Sequence, residues 1–108
     1  MPEQKKLKNP TTEALFHAIL KLETMEDCYV FFEDLCTMKE LGDMAQRLEA
    51  AKMLLKGYTY DQIVKKVEIS TATISRINRC IQYGTGGYKM AMERTAEECP
   101  VEDPPQRG

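Results

Sequence analysis

Two short segments with helical periodicity, separated by only three residues, constrain the fold of this chain more than any other feature. Thr59 is suited to cap a helix over residues 60–67, and Ser70 is suited to cap a second helix over residues 71–82. Helices of this length joined by so short a turn form a helix-turn-helix, in which the two helices cross and bury a small wedge of apolar side chains. The spacing therefore predicts a helix-turn-helix over residues 60–82. The residues that fill the wedge are Ile63, Val67, Ile69, Ile74 and Ile77.

The turn between these helices contains one unfavourable residue. Its first position is Glu68, and this position often needs a positive φ, which costs a residue with a side chain roughly 1 kcal/mol relative to glycine. Lys65 and Lys66 precede the turn, where they either offset part of this cost or are simply solvated. A strained backbone at Glu68 is the expectation.

The face of the second helix that points away from the wedge is small, polar and basic. In the stretch ISTATISRINR, residues 69–79, every large apolar residue belongs to the wedge. The remaining face is typical of an ordinary solvated helix, and equally of a recognition helix whose N-terminal side chains meet base edges in the major groove. Arg76 and Arg79 are able to hold phosphate or recognise guanine, and their small neighbours let the helix backbone approach the bases. The candidate DNA-contact residues are Ser70, Thr71, Ala72, Thr73, Ser75, Arg76, Arg79 and Lys65.

The distribution of charge favours the recognition helix. The chain has a net charge of −2, yet residues 39–82 carry five Lys and three Arg against five acids. Residues 1–38 and 83–108 are both acidic. Because affinity for phosphate depends on where the basic residues lie, a localised DNA-binding face is compatible with an acidic chain.

The composition disfavours several other classes of protein. With 108 residues, the chain is long enough for one domain. It has no apolar run near the roughly 18 residues that span a bilayer and no secretory signal, so a cytoplasmic location is expected. Its four cysteines form no CxxC pair and its single histidine, His17, completes no metal site. We therefore expect no metal and no cofactor, and we expect reduced, mostly buried thiols. No nucleophile has an evident basic partner, so an enzyme is not expected.

Apolar periodicity predicts four more helices, which complete an all-α domain of six helices over residues 11–97. Thr11 or Thr12 is suited to cap the first of them, and Gly57 is suited to end the third in the left-handed conformation. The four helices are predicted over residues 12–23, 26–38, 40–56 and 88–97.

The second of these helices contains five consecutive apolar residues, CYVFF, from Cys28 to Phe32. As a helix, this segment is apolar on more than one face and needs burial from several sides, which a second subunit would supply. A β-strand is the competing interpretation. Flexible tails are expected on either side of the domain, over residues 1–10 and 98–108.

Residues 37–82 resemble the tryptophan repressor superfamily. The segment TMKELGDMAQRLEAAKMLLKG is followed, after a short gap, by YDQIVKKVEISTATISRINRCI, which matches the repressor's order of a central helix and a helix-turn-helix. RLEAAKMLL, TATISRINRC and YGTGGY together resemble more closely the TrpR-like YerC/YecD family of small bacterial proteins. The resemblance covers roughly residues 12–95. It implies an intertwined all-α homodimer that binds double-stranded DNA.

The resemblance also raises the question of a ligand. The tryptophan repressor binds free tryptophan between its central and recognition helices, and the residues here that match its ligand contacts are Thr37, Arg47 and Arg76. Ile77, however, stands where the repressor has glycine, and its side chain is expected to fill the volume that the indole ring needs. Cys80 replaces a serine that can hydrogen bond. Tryptophan is therefore not expected as a corepressor, and the sequence indicates no other small-molecule effector.

The sequence favours a sequence-specific, dimeric transcriptional regulator that binds an inverted-repeat site, with repression as the preferred mode of control. The competing hypothesis is a helix-turn-helix that holds a protein partner and has no DNA affinity of its own. The salt dependence of DNA binding separates the two, because contacts with phosphate release counterions.

Overall fold

The protein is all-α, as the periodicity predicts. The computed structural model describes residues 8–105, and within this range the chain forms six α-helices and no strand. The β-strand interpretation of the CYVFF segment is therefore wrong. The helices are α1 (Pro10–Leu20), α2 (Met25–Leu35), α3 (Met38–Lys56), α4 (Tyr60–Lys66), α5 (Thr71–Tyr83) and α6 (Gly87–Arg94).

Side-chain caps fix the starts of the two helix-turn-helix helices, and both predicted caps are confirmed. Thr59 Oγ1 accepts the backbone N–H of Gln62 at 3.2 Å, and Gln62 Oε1 accepts the backbone N–H of Thr59 at 2.9 Å. This reciprocal capping box satisfies two amides that a helix N-terminus would otherwise leave without partners. Ser70 Oγ accepts the backbone N–H of Thr73 at 3.2 Å and begins α5 in the same way.

The start of α1 differs from the prediction. The cap is Asn9, whose Oδ1 accepts the backbone N–H of Thr12 at 2.8 Å, so neither Thr11 nor Thr12 caps the helix. Pro10 is the first helical residue, where proline is favoured because its missing N–H needs no partner. Residues 9 and 10 of the predicted N-terminal tail are thus a cap and a helix start, and residues 1–7 lie outside the described range.

A second reciprocal arrangement begins α2. Thr24 Oγ1 accepts the backbone N–H of Asp27 at 3.0 Å, and Asp27 Oδ2 accepts the backbone N–H of Glu23 at 3.0 Å. The hydrogen bond from Glu23, followed by that from the Thr24 side chain, holds the pKa of the Asp27 carboxyl below its ordinary value. These local bonds explain why a segment with three aromatic residues starts as a helix.

The buried core lies in the second of two units, one ending at Met38 and the other beginning at Lys39. In this second unit, apolar residues of α3, α4 and α5 pack together, and the predicted wedge is part of the cluster. Ile69 is half-buried and packs against it. The buried members are Ala50, Ala51, Met53, Tyr58, Ile63, Val67, Ile74 and Ile77.

The two connections around α4 have different backbone geometry. Gly57 follows α3 with a φ of +98°, which confirms the predicted left-handed ending. The prediction for Glu68 is wrong, because no non-glycine residue between 8 and 105 has a positive φ. The chain instead leaves α4 through Val67 in an extended conformation, with φ −121° and ψ 131°. The turn therefore accommodates glutamate without strain.

Helices α1 and α2 contain no buried residue in the single chain. Several large apolar side chains are exposed on them, among which Leu20 and Met25 are 78% and 73% exposed. The other large apolar side chains exposed on these two helices are Phe16, Tyr29, Val30 and Leu35.

The cysteines are free but less buried than predicted. Cys28 and Cys36 are half-buried, whereas Cys80 and Cys99 are exposed. Cys80 is exposed on α5, three residues after the buried Ile77. None of the helices within the described range combines the length and the apolarity that crossing a membrane requires.

Candidate nucleic-acid interface

Helix α5 separates its residues into a buried apolar side and an exposed polar side. Ile74 and Ile77 are buried in the core, which fixes the rotation of the helix about its axis. The opposite side is built from small and basic residues, as the sequence predicted. The residues of the candidate set that are exposed there are Ser70, Thr71, Ala72, Ser75, Arg76 and Arg79.

The first turn of α5 is suited to a negatively charged partner. The amides of Thr71 and Ala72 lie in the turn where a helix has no internal acceptor, and this turn contains no acidic residue. Their partial positive charge favours phosphate at this end of the helix. Small side chains at these two positions leave the amides accessible.

Two of the predicted contact residues have hydroxyl groups that bind each other. Ser70 Oγ and Thr73 Oγ1 are 3.0 Å apart, and Thr73 is half-buried. Since Ser70 Oγ also accepts the Thr73 amide, this pair stabilises the helix start. Thr71, Ala72 and Ser75 are therefore the small exposed residues at this end of α5 whose side chains are not used in the cap.

Arg76 and Arg79 are exposed on α5, three residues apart and therefore on neighbouring positions of one face. The helix contains no acidic residue over its thirteen positions. Within residues 8–105, neither guanidinium takes part in an ion pair; the pairs found there join Lys39 to Asp43 and Lys56 to Asp103. Both arginines are thus available to an external anion.

Lys65 lies on a different helix from the rest of the candidate set. It is exposed in the last turn of α4, next to the exposed Lys66. In helix-turn-helix proteins that bind DNA, the first helix crosses the DNA backbone while the second lies in the groove.

One exposed residue on the same face of α5 was not among the predicted contacts. Tyr83 is 83% exposed, and it follows Arg79 by four residues and Arg76 by seven, which places the three side chains along one face. Its hydroxyl group is able to donate a hydrogen bond to phosphate. Continuing the helical period of Arg76 and Arg79 by one more turn points to Tyr83. This residue lies one position beyond the predicted end of the helix at residue 82.

The three residues that match the ligand contacts of the tryptophan repressor are distributed over both units. Thr37 belongs to the unit that ends at Met38, whereas Arg47 and Arg76 belong to the second unit and are exposed on α3 and α5. Ile77 is only 3% exposed and lies in the core cluster, as the wedge required.

Comparison with known proteins agrees with this architecture. Residues 11–96 match the family model described as Trp repressor protein. The YerC protein of Bacillus subtilis (strain 168) is 49% identical over 92 residues, which cover 85% of this chain and 88% of that protein.

Two crystal structures share the fold. A TrpR-like protein from Eubacterium eligens ATCC 27750 aligns with a TM-score of 0.83 at 47% identity, over 86% of this chain and 96% of that one. A protein described as a putative Trp repressor from Staphylococcus aureus aligns with a TM-score of 0.80 at 48% identity, over 83% and 90%. Since both the family match and these relatives extend over most of its length, the chain belongs to the Trp repressor family, in the TrpR-like group that includes YerC.

Proposed function

We propose that this protein is a sequence-specific DNA-binding transcriptional regulator that inserts the N-terminal half of α5 into the major groove. The observation that carries the proposal is the exposed face of α5, which has no acid and combines small residues with two arginines that form no ion pair among the described residues. Membership of the Trp repressor family supports it. Control by repression in the cytoplasm is part of the proposal.

Each part of the interface has a distinct role in this proposal. Thr71, Ala72 and Ser75 meet base edges, since only small side chains let a helix lie deep in the groove. Arg76 and Arg79 recognise guanine or hold phosphate. Ser70 and Thr73 stabilise the first turn, and Lys65 contacts the DNA backbone from α4.

The active species is proposed to be an intertwined homodimer. The exposed apolar side chains of α1 and α2 amount to an apolar surface that a single chain leaves in water. A second copy that covers this surface gives a two-fold axis, and a two-fold protein matches an inverted-repeat DNA site.

Light scattering should therefore give a mass close to twice the 12.4 kDa of one chain at micromolar concentration. Val30→Glu, which places a charge on the exposed apolar surface of α2, should shift the mass toward that of one chain because the charge must be desolvated in the dimer. A parent protein with the mass of a single chain contradicts the dimer.

We further propose that DNA binding needs no tryptophan. Ile77 packs in the core between the helix-turn-helix helices, so an indole ring entering there would have to displace a close-packed side chain. Calorimetry with millimolar L-tryptophan should give no saturable heat, and the melting temperature should not rise. Saturable binding at micromolar concentration, absent with L-alanine, would show that Ile77 does not fill the site.

The competing function is a helix-turn-helix that holds a protein partner. Salt-dependent binding to duplex DNA distinguishes the two, because each phosphate neutralised by a basic side chain releases counterions. A regulator should bind duplex DNA with an affinity that falls steeply as salt concentration rises. Absence of binding at low salt, by a folded protein, supports the protein-binding alternative.

A further inference from the structure

The segment predicted as a flexible C-terminal tail makes specific contacts with the junction of α3 and α4. Tyr58 Oη donates to the backbone oxygen of Glu102 at 3.0 Å, and Lys56 Nζ lies 3.2 Å from Asp103 Oδ1. Gln62 Nε2 donates to the backbone oxygen of Pro105 at 3.4 Å. Three donor side chains from one junction thus bind acceptors within four consecutive residues.

These donors form a set that suits phosphate. An ammonium, a phenolic hydroxyl and a side-chain amide are all groups that proteins use to contact phosphate oxygens of DNA. In the structure, the Asp103 carboxylate and the backbone carbonyls of Glu102, Asp103 and Pro105 occupy them. We name residues 102–105 the strap, and Lys56, Tyr58 and Gln62 the corner.

The corner lies where a helix-turn-helix approaches the DNA backbone. Gln62 is in the first turn of α4, the first helix of the motif, and this helix crosses the backbone when the second helix lies in the groove. Lys56 is the last residue of α3, and Tyr58 lies in the short connection between the two helices. A strap that carries Glu102 and Asp103 at this place opposes the approach of phosphate.

The strap is attached to the corner by one ion pair and three side-chain hydrogen bonds, and the ion pair is open to solvent. Its ion pair is exposed, with side-chain exposures of 34% for Lys56 and 88% for Asp103, and ion pairs of this kind contribute little to stability. Tyr58, in contrast, is only 9% exposed and belongs to the buried core, so this member of the corner is fixed by packing.

We propose that the corner is an additional phosphate-binding site and that the strap autoinhibits DNA binding by occupying it. This inference rests on the proposed DNA-binding function. In this proposal Lys56 binds phosphate, and its ion pair with Asp103 prevents that contact. Any change that releases the strap adds one phosphate contact for each protomer.

The test compares two full-length variants that remove the same charge. Asp103→Asn weakens the strap, whereas Glu98→Gln removes an exposed acid outside it. Asp103→Asn should bind duplex DNA several-fold more tightly than the Glu98→Gln control, equally on specific and random sequences. The slope of log affinity against log salt should steepen by about 0.9 for each phosphate gained, or about 1.8 for a dimer.

A second substitution identifies the source of the gain. Lys56→Gln added to Asp103→Asn should cancel the gain, whereas Lys39→Gln, which removes an exposed lysine at the other end of α3, should not. Thermal melting followed by circular dichroism establishes that each variant is folded.

Two outcomes would overturn the inference. The first is an Asp103→Asn variant that binds like the Glu98→Gln control, and the second is a gain that survives Lys56→Gln. If the parent binds DNA in these experiments, either outcome contradicts autoinhibition by the strap and leaves the proposed DNA-binding function standing. If neither the parent nor any folded variant binds DNA, the proposed function fails and the inference fails with it.

Discussion

Ile74→Ala should lower the free energy of unfolding by about 2–5 kcal/mol, because it deletes a fully buried side chain at the crossing of the helix-turn-helix helices. The loss combines the transfer free energy of the missing methylenes with a cavity that α4 and α5 cannot close completely. Urea denaturation monitored by circular dichroism measures it.

Gln82→Ala is a matched control for this stability prediction. Gln82 is exposed on the same helix, so its truncation should change the free energy of unfolding by no more than about 0.5 kcal/mol. If Ile74→Ala is as mild as the control, Ile74 does not pack as the structure has it and the wedge is not the core of the motif.

Arg76→Ala and Arg79→Ala should each weaken binding to the preferred DNA site by about 1–3 kcal/mol, because each removes a guanidinium that forms no ion pair within residues 8–105. Both side chains are exposed, so the free energy of unfolding should barely change. Loss of affinity on the preferred site alone indicates contact with a base, and equal loss on all duplexes indicates contact with phosphate.

Arg94→Ala controls for net charge in this experiment. Arg94 is an exposed arginine at the end of α6, outside the proposed interface, and its removal changes the charge of the chain by the same amount. Affinities of Arg76→Ala and Arg79→Ala that match Arg94→Ala would mean that α5 is not the recognition helix.

The elements that follow from the sequence are those with local determinants. Thr59 and Ser70 cap helices through residues three positions away, and Ile63, Ile74 and Ile77 recur at the helical period. The helix-turn-helix can therefore be predicted from the caps and the apolar periodicity of its own residues. The start of α1 lies earlier than predicted because Asn9 is a stronger cap than Thr11 or Thr12 and is followed by a proline suited to the first helical position.

The strap could not be predicted because it depends on long-range contacts. Tyr58 and Glu102 are 44 residues apart, and a segment rich in proline and acids gives no local sign that it will bind elsewhere. The turn at Glu68 was misjudged for a related reason. Its backbone is set by how α4 and α5 cross, and that crossing is made with an extended Val67.

The sequence predicted which residues form the candidate site better than it predicted how their side chains pair. The exposed positions of Arg76 and Arg79 follow from the burial of Ile74 and Ile77 on the same helix. The sequence did not reveal that the Ser70 hydroxyl would be engaged by Thr73, because side-chain pairing within a capped turn depends on rotamers.

Selection of bound duplexes from a random pool tests the central claim most directly. The proposal predicts enrichment of one inverted-repeat sequence without added tryptophan, with half-sites about 34 Å apart, since two α5 helices related by a two-fold axis enter successive turns of the major groove. Recovery of a pool with no enriched sequence, from a protein shown to be folded, would contradict a sequence-specific regulator.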